Sequence, residues 1–427
     1  MEMPQAIRKT ASELEQALSD RRPALAKMIG PCFRSTAETT LKQDALGVFV
    51  ITGDIPAMWL RDSAGQVAHY VGLAAQSQEV RALLRGVIAR QCAEVCTDPY
   101  ANAFNREPNG NSYAASDESD RKSPWVWERK FELDSLCAPL MLAADYYKAT
   151  GDRSIFTSEF RRMLETALRV CRTEQNHADS PYYFRRNSKI PTESLRENGR
   201  GTPVGKTGMI WSGFRPSDDA CTYHYLVPAN MMAAVAFRRA ARLAEEGFDD
   251  AELARECRGL SEDVERGIET YAVTVHPKYG RIYAYETDGL GHYNRMDDAN
   301  SPSLLSIPYL GYRQASDPVY RNTRAFLLSD DNPYYYRGNA GEGVGSPHTP
   351  AGYVWPMAVV MRALTSETSD EIRECLDILE RTHAGTNQMH ESFDANAPEK
   401  YTRPWFAWAN SLFSVLIQRL VRENFSL

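Results

Sequence analysis

Six times along the chain a dense polar and aromatic loop runs straight into an apolar or small-residue helix, and this repeated order constrains the fold more than any other feature. The loops are GDIPAMWLRDS (53–63), WERKFELDS (127–135), WSGFRPSDDACTY (211–223), YNRMDDANSPS (293–303), GSPHTPAGYVWP (345–356) and the pair THAGTNQMHESF (382–393) with YTRPWFAWANS (401–411). Helices packed parallel in a ring gather all six loops at one end. Groups that bind and react concentrate on loops held by a rigid scaffold, so that end is the expected site.

Hydrophobic period separates two kinds of helix. In 76–98, Val80, Leu83, Leu84, Val87, Ile88 and Val95 recur at i, i+3, i+4, which is one face of a helix. Segment 153–175 repeats the pattern with Phe160, Met163, Leu164, Ala167, Leu168 and Cys171, and segment 249–270 with Leu253, Cys257, Leu260, Val264 and Ile268. Segment 369–383 adds Ile372, Cys375, Leu376 and Leu379. These are predicted outer helices. Before them stand more uniformly apolar candidates for an inner ring: 63–74, 135–150, 229–246, 302–310 as the weakest, 352–365 and 405–422. Gly151 and Gly247 mark the breaks between inner and outer members, and Asp249 with Glu252 reads as a capping box. Amphipathic helices within 5–40 supply the partner that 405–422 lacks. The expectation is an all-α (α/α)6 barrel of six helix pairs, one catalytic domain over 1–427. An open helical solenoid would show a more regular repeat and no reason to crowd Trp, Asp and His before every inner helix.

Composition narrows the function. A net charge of −7, with no basic patch in the motifs, argues against a nucleic-acid partner or an anionic membrane, and a neutral substrate fits better. The longest near-apolar run, Leu226 to Phe237, is broken by Pro228 and Asn230 and is too short to span a bilayer. The first twenty residues lack the apolar stretch of a signal peptide. Eight dispersed cysteines read as reduced core thiols of a cytoplasmic protein. Polar segment 99–126 and the Tyr-rich stretches 178–212 and 272–296, the latter two read as small hairpins, are material to wall off a pocket.

The loops are rich in Asp, Glu, Trp, Arg and His, and they hold no GxSxG elbow, Walker motif, HExxH or CxxC. Glycoside hydrolysis needs one carboxylic acid to protonate the leaving oxygen and a second carboxylate acting on the other face of the sugar. Sugars also call for aromatic walls and charged hydrogen-bonding groups. Trp59 with Arg61 and Asp62 suits recognition of a terminal sugar. Glu132 and Asp134 divide between substrate contact and capping of helix 135–150. The pair Asp218-Asp219 is either a catalytic carboxylate with a repelling neighbour or a cap for 229–246, with Arg215 favouring ionisation of whichever it touches. Asp297-Asp298 with Asn300 lacks the ligand spacing of a calcium loop. His348 is a hydroxyl ligand or a satisfied structural histidine. Glu391 stands among His383, His390 and Ser392, a polar cluster that simple capping does not require. Of Trp355, Trp405 and Trp408, at least one belongs to the core.

GDIPAMWLRDS, FELDSLC, MIWSGFRPSDDACTY, NRMDDANSPSLLSIPYLGY, GSPHTPAGYVWP, THAGTNQMHESF and YTRPWFAWANSLF closely resemble, in this order, glycoside hydrolase family 125, the inverting exo-α-1,6-mannosidases. The resemblance runs from about residue 30 to the end. It implies an (α/α)6 barrel that needs no metal or other cofactor and takes a mannose-containing oligosaccharide. Carried over by motif, Asp218 is the general acid and Glu391 the general base. Inversion implies room for a water, with the two carboxyls roughly 6.5–9.5 Å apart. The candidate substrate-contacting residues are Trp59, Arg61, Asp62, Glu132, Arg215, Asp219, Asp298, His348, His390 and Trp405. Two alternatives differ in chemistry: another glycosidase on the same barrel, such as an α-glucosidase or uronide hydrolase, or a mannoside-binding protein without turnover.

Overall fold

The computed structural model describes residues 2–426. Its helices are α1 (Gln5–Ser19), α2 (Pro23–Ser35), α3 (Leu60–Val67), α4 (Gln78–Thr97), α5 (Leu133–Thr150), α6 (Ser158–Glu174), the single turn α7 (Arg196–Gly199), α8 (Val227–Phe248), α9 (Ala251–Tyr271), α10 (Ile307–Leu310), α11 (Pro318–Leu327), α12 (Pro356–Leu364), α13 (Ser369–Thr382) and α14 (Ala407–Arg422). In the inner ring α3 packs on α5, α5 on α8, α8 on α10 and α12 on α14, and α14 returns to α3. Outside it α4 lies on α6 and α6 on α9, while α2 covers α14. This is the (α/α)6 barrel.

The two chemistries follow from position. Inner helix α8 buries Ala229, Ala233, Ala234, Ala236, Ala240 and Ala241 along with its larger side chains, because neighbours press on it from several sides. Outer helix α6 buries only the stripe Phe160, Met163, Leu164, Ala167, Leu168 and Cys171, with Val170 and Glu174 at its edge, and leaves the rest to solvent. Buried hydrophobic residues from Ile7 to Leu420 form one extensive core, and Ala57, Trp59 and Ala103 form a small separate cluster at the loop end.

Several local expectations are corrected. The first inner helix starts at Leu60, three residues earlier than its pattern suggests, and passes into a 3-10 segment over Ala68–Ala75. Segment 302–310 shrinks to the one turn α10. Its partner α11 is absent from the list of outer helices read above. It is a ten-residue helix whose Asp317 side chain accepts from Tyr320 N, with Pro318 in its first turn and Tyr320, Thr323, Phe326 and Leu327 buried. At the α8–α9 junction Gly247 lies inside the helix, where a Cβ would meet the Phe156 ring at 2.3 Å. The left-handed residue is instead Asp249 (φ 54), and the cap is Asp250, accepting from Leu253 N. Gly151 takes the left-handed conformation as read, with φ 64.

Short strands stiffen the loop end. Met58–Trp59, just before α3, pairs with Ala103–Phe104, which pairs in turn with Val126–Glu128 before α5. Tyr225–Leu226, before α8, pairs with Glu286–Thr287, and Tyr353–Val354, before α12, with Ser392–Asp394. Segment 272–296 contains the expected hairpin, Val273–His276 against Gly280–Tyr283. In 178–212 the strand Phe184–Arg185 pairs outside its own segment, with Glu118–Ser119. A bridge between Gly53 and Phe406 closes the seam where the first and last loops meet. All eight cysteines are free, and among the described residues no helix is long and apolar enough to cross a membrane.

Candidate active site

A cavity of about 290 Å³ opens at the loop end, and the loops ahead of all six inner helices contribute to it. Thr52, Trp59, Arg61 and Asp62 come with α3, Glu128 and Lys130 with α5, Pro216, Ser217 and Asp218 with α8, and Asn300 with α10. His348 and Trp355 come with α12, and Glu391, Arg403 and Phe406 with α14. Tyr113 and Glu193 reach in from the long excursions. Small-molecule pockets span about 300–1,000 Å³, so this one stands at the small end.

Arg61 sits in the first turn of α3, 4% exposed, and organises the floor. Its Nη1 donates to Glu132 and, at 2.9 Å, to Asp134 Oδ2, while Nη2 donates to the Pro216 carbonyl at 2.7 Å. Asp62 lies 3.4 Å away. Burial pushes the Asp62 carboxyl up to about 6 in spite of Arg61. Glu132 is raised well above the carboxylate range, first by burial and then by the charges of Asp218 and Asp134, which together outweigh Arg61.

Asp218 is presented by a tight loop. Phe214 and Ala220 form a bridge, Asp218 N donates to Arg215 O at 2.9 Å, and Arg215 N donates to Asp219 O at 2.8 Å. Asp218 itself is left-handed at φ 70, strain that the surrounding bonds hold in place. Lys130 Nζ donates to its carbonyl at 2.8 Å, and Asn102 Nδ2 approaches its Oδ1 at 3.5 Å. Burial acts to raise Asp218, but Lys130, Arg61 and His348 prevail and hold it below the ordinary range.

Opposite in sequence, Glu391 N donates to Thr402 O at 3.3 Å, and Arg403 Nη1 stands 3.5 Å from Glu391 Oε1. Arg403 is anchored by Asp54, at 2.5 Å from Nη2. His348 Nδ1 lies 3.4 Å from Asp219 Oδ1. Burial pulls the His348 imidazolium down, yet the hydrogen bond and charge of Asp219, with Asp218 and Glu391 behind, raise it to about 9.

Of the residues singled out in the sequence, Trp59, Arg61, Asp62, Asp218, Asn300, His348, Trp355 and Glu391 meet on the cavity wall. The others stand behind it. Glu132 and Asp134 hold Arg61, and neither side chain caps α5. Arg215 touches the side chain of neither Asp218 nor Asp219: its Nε donates to Glu286 at 2.6 Å, and Glu286 also accepts from Thr222 N and Tyr223 N. Asp219 turns to His348, and Asp298 accepts from Ser217 Oγ at 2.5 Å. Asp297 accepts from Leu304 N and Leu305 N, a structural task. His390 stacks on Tyr401 at 3.7 Å, and Ser392 pairs with Thr402 at 2.6 Å. Trp405 gives its carbonyl to Asp54 N at 3.3 Å, while its neighbour Phe406 lines the cavity. Trp408 packs over Arg61 at 5.9 Å. Segment 272–296 contributes no wall residue; its Glu286 braces the Asp218 loop from outside.

Sequence reading passed over Lys130, Glu128, Arg403, Tyr113 and Glu193. Lys130 and Arg403 lie inside quoted motifs, each beside aromatic residues, and that juxtaposition was their signal. Nothing in 99–126 distinguishes Tyr113.

A family model described as metal-independent alpha-mannosidase (GH125) matches residues 22–418. The meiotically up-regulated gene 157 protein of Schizosaccharomyces pombe is 39% identical over 443 residues, covering 98% of this chain and 86% of that protein. A Streptococcus pneumoniae metal-independent alpha mannosidase, solved in a non-productive complex with α-1,6-mannobiose, matches with a TM-score of 0.95 at 39% identity over 98% of each chain. A bacterial glucoamylase bound to acarbose, at 12% identity and TM-score 0.55 over 87% of this chain and 51% of that one, shares the fold alone. Seven ordered motifs, one cavity built by six loops and a family match over nearly the whole length converge: the chain belongs to glycoside hydrolase family 125, the metal-independent α-mannosidases.

Proposed function

We propose that this protein is an exo-acting α-mannosidase that releases terminal mannose from α-1,6-linked mannosides with inversion of configuration. The carrying observation is the meeting of Asp218 and Glu391, delivered by the loops ahead of α8 and α14, on one small cavity with Trp59, Trp355 and Phe406 in its wall. The pneumococcal relative's complex with α-1,6-mannobiose supports the linkage.

In this reading the terminal sugar enters the cavity with Arg61 and Asp62 gripping its hydroxyls, and Tyr113 and Glu193 limit the space beyond it. Asp218 protonates the leaving oxygen as the C1–O bond breaks. Glu391, oriented by Arg403, takes a proton from the water that forms the new bond to C1. We place the enzyme in the cytoplasm on the strength of its eight free thiols; recovery of the native protein only from a secreted fraction would overturn that placement.

The deciding experiment compares α-1,2, α-1,3 and α-1,6 mannobiose and follows the first-formed anomer by NMR. Cleavage confined to the α-1,6 isomer with β-mannose first supports the proposal; α-mannose first refutes inversion. Asp218→Asn should abolish turnover of mannobiose and spare a dinitrophenyl mannoside, whose departure needs little protonation. Glu391→Gln should slow both substrates alike. If Asp219→Asn showed the leaving-group dependence instead, the acid would have to be reassigned.

A further inference from the structure

If Asp218 is the acid, its surroundings pose a difficulty. A general acid must carry a proton, yet Lys130, Arg61 and His348 all favour the ionised form of Asp218. The donor count points to where the proton resides. Asn102 Nδ2 has two hydrogens and faces three carboxyl groups, Glu128 Oε2 at 2.9 Å, Glu132 Oε1 at 3.1 Å and Asp218 Oδ1 at 3.5 Å. Among the described residues that long contact is the one hydrogen bond the Asp218 carboxyl receives from a nitrogen donor. The charge count agrees. Arg61, Lys130 and Arg403, with His348 at the edge, face Asp62, Glu128, Glu132, Asp134, Asp218 and Glu391, and Asp219 adds a further carboxylate beside His348. Carboxylates exceed cations among these side chains, most of them buried, and crowded carboxyls relieve that excess by retaining a proton.

We infer that Glu132 and Asp218 form a two-carboxyl unit holding one proton between them, with Glu132 as the positioning residue that keeps that proton available to Asp218. Glu132 suits the part because it is 1% exposed and stands behind the cavity wall, out of the substrate's reach. Its other oxygen is fixed by Arg61 and, at 3.3 Å, by Ser135 Oγ. The geometric link between the two carboxyls is Asn102 Nδ2, which reaches Glu132 Oε1 and Asp218 Oδ1 alike, and the upward shift of Glu132 with the downward shift of Asp218 agrees with sharing. The inference rests on the assignment of Asp218 as acid.

The proton passes from the Glu132 side of the pair to Asp218 and on to the leaving oxygen as the C1–O bond breaks. Water oxygen bonds to C1, and its proton goes to Glu391. The pair ends one proton poorer and Glu391 one richer, and exchange with solvent restores both after product leaves.

The test is Glu132→Gln, which keeps the shape but cannot hand over a proton. On α-1,6-mannobiose kcat should fall about 100-fold, within the range for lost acid catalysis, and on dinitrophenyl mannoside by less than about fivefold. The alkaline limb of the mannobiose profile should move about one pH unit or more to lower pH, because Asp218 alone among its cations releases its proton sooner. Activity on the activated substrate also reports that the variant is folded. Should Glu132→Gln not fold, Glu132→Asp, which keeps the charge near Arg61 but withdraws the carboxyl from Asp218, carries the same comparison. Equal losses on both substrates, a rise in KM with kcat unchanged, or an unmoved alkaline limb would overturn the inference. Asp218→Asn separates the two levels: if it lacks leaving-group dependence, the acid assignment falls and takes the shared proton with it. If it has that dependence while Glu132→Gln does not, only the shared proton falls.

Discussion

Gly53 sits where the first and last loops of the ring are stitched together, and Gly53→Ala tests whether that seam sets both stability and geometry of the site. The backbone there has φ 136, a region an alanine enters at a cost of about 1–3 kcal/mol. An added Cβ would lie 2.4 Å from the Trp405 carbonyl oxygen, a backbone atom with no rotamer to escape into. Restoring ordinary contact needs a displacement of about 1 Å, and overpacking of this kind costs about 1–3 kcal/mol. The shift falls on two long bonds, Asp54 N to Trp405 O at 3.3 Å and Ala407 N to Thr52 O at 3.4 Å, which would part. The sum is about 2–6 kcal/mol. With about 2.1 cal/mol/K per residue over 427 residues, the unfolding entropy is about 0.9 kcal/mol/K, so Tm should fall by about 2–7 °C. Because Asp54 anchors Arg403 and Arg403 orients Glu391, turnover of the intact variant at 25 °C should drop by up to about 100-fold. Gly72→Ala, in open space, is the control, expected within about 0.5 kcal/mol of wild type. Thermal scans at one fixed rate and kcat on mannobiose read both effects. A Gly53→Ala protein with wild-type Tm and kcat would refute the claim that the seam is rigid.

Two further outcomes follow from the site. His348 is raised from its ordinary 6.5 to about 9 in the folded protein, so the stability it contributes through Asp219 is fully present below pH 6.5 and is lost as pH rises through about 9. The denaturation midpoint of wild type should exceed that of His348→Gln at pH 6, and the two should converge by about pH 10; a difference that grows with pH would contradict the assignment. Because the cavity wall offers acid, base and hydroxyl ligands without a metal-holding group among the described residues, activity should persist in excess chelator, and loss reversed by added calcium or zinc would count against this reading.

The barrel was legible because its outer helices repeat one period and its inner helices another composition. A stripe such as that of α6 or α9 has a single way to be buried, and six loop–helix transitions leave few topologies besides a closed ring. What escaped was local. The outer helix α11 is only ten residues long, and its i, i+3 set of Tyr320, Thr323 and Phe326 is diluted by Arg321 and Arg324. Gly247 carries the sign of a helix end but is small because Phe156 packs against it, a contact between residues far apart in sequence. Glycine signals either a left-handed turn or a close approach, and sequence spacing alone does not separate them.

The division of the candidate residues between wall and support has one recurring cause. A motif names neighbouring residues together, whereas extended backbone sends successive side chains to opposite sides. Hence Glu391 faces the cavity while His390 stacks away on Tyr401, and Phe406, with φ −117 and ψ 95, faces it while Trp405 does not. At Asp218 the left-handed turn does the same work, sending Asp218 inward and Asp219 toward His348. Residues displaced to the second layer are therefore still part of the site: Arg215 with Glu286, and Asp298 with Ser217, hold the loop whose strained tip is Asp218. A substitution there acts through the position of Asp218, and the reactive carboxyl is only as well placed as the buried polar pairs behind it.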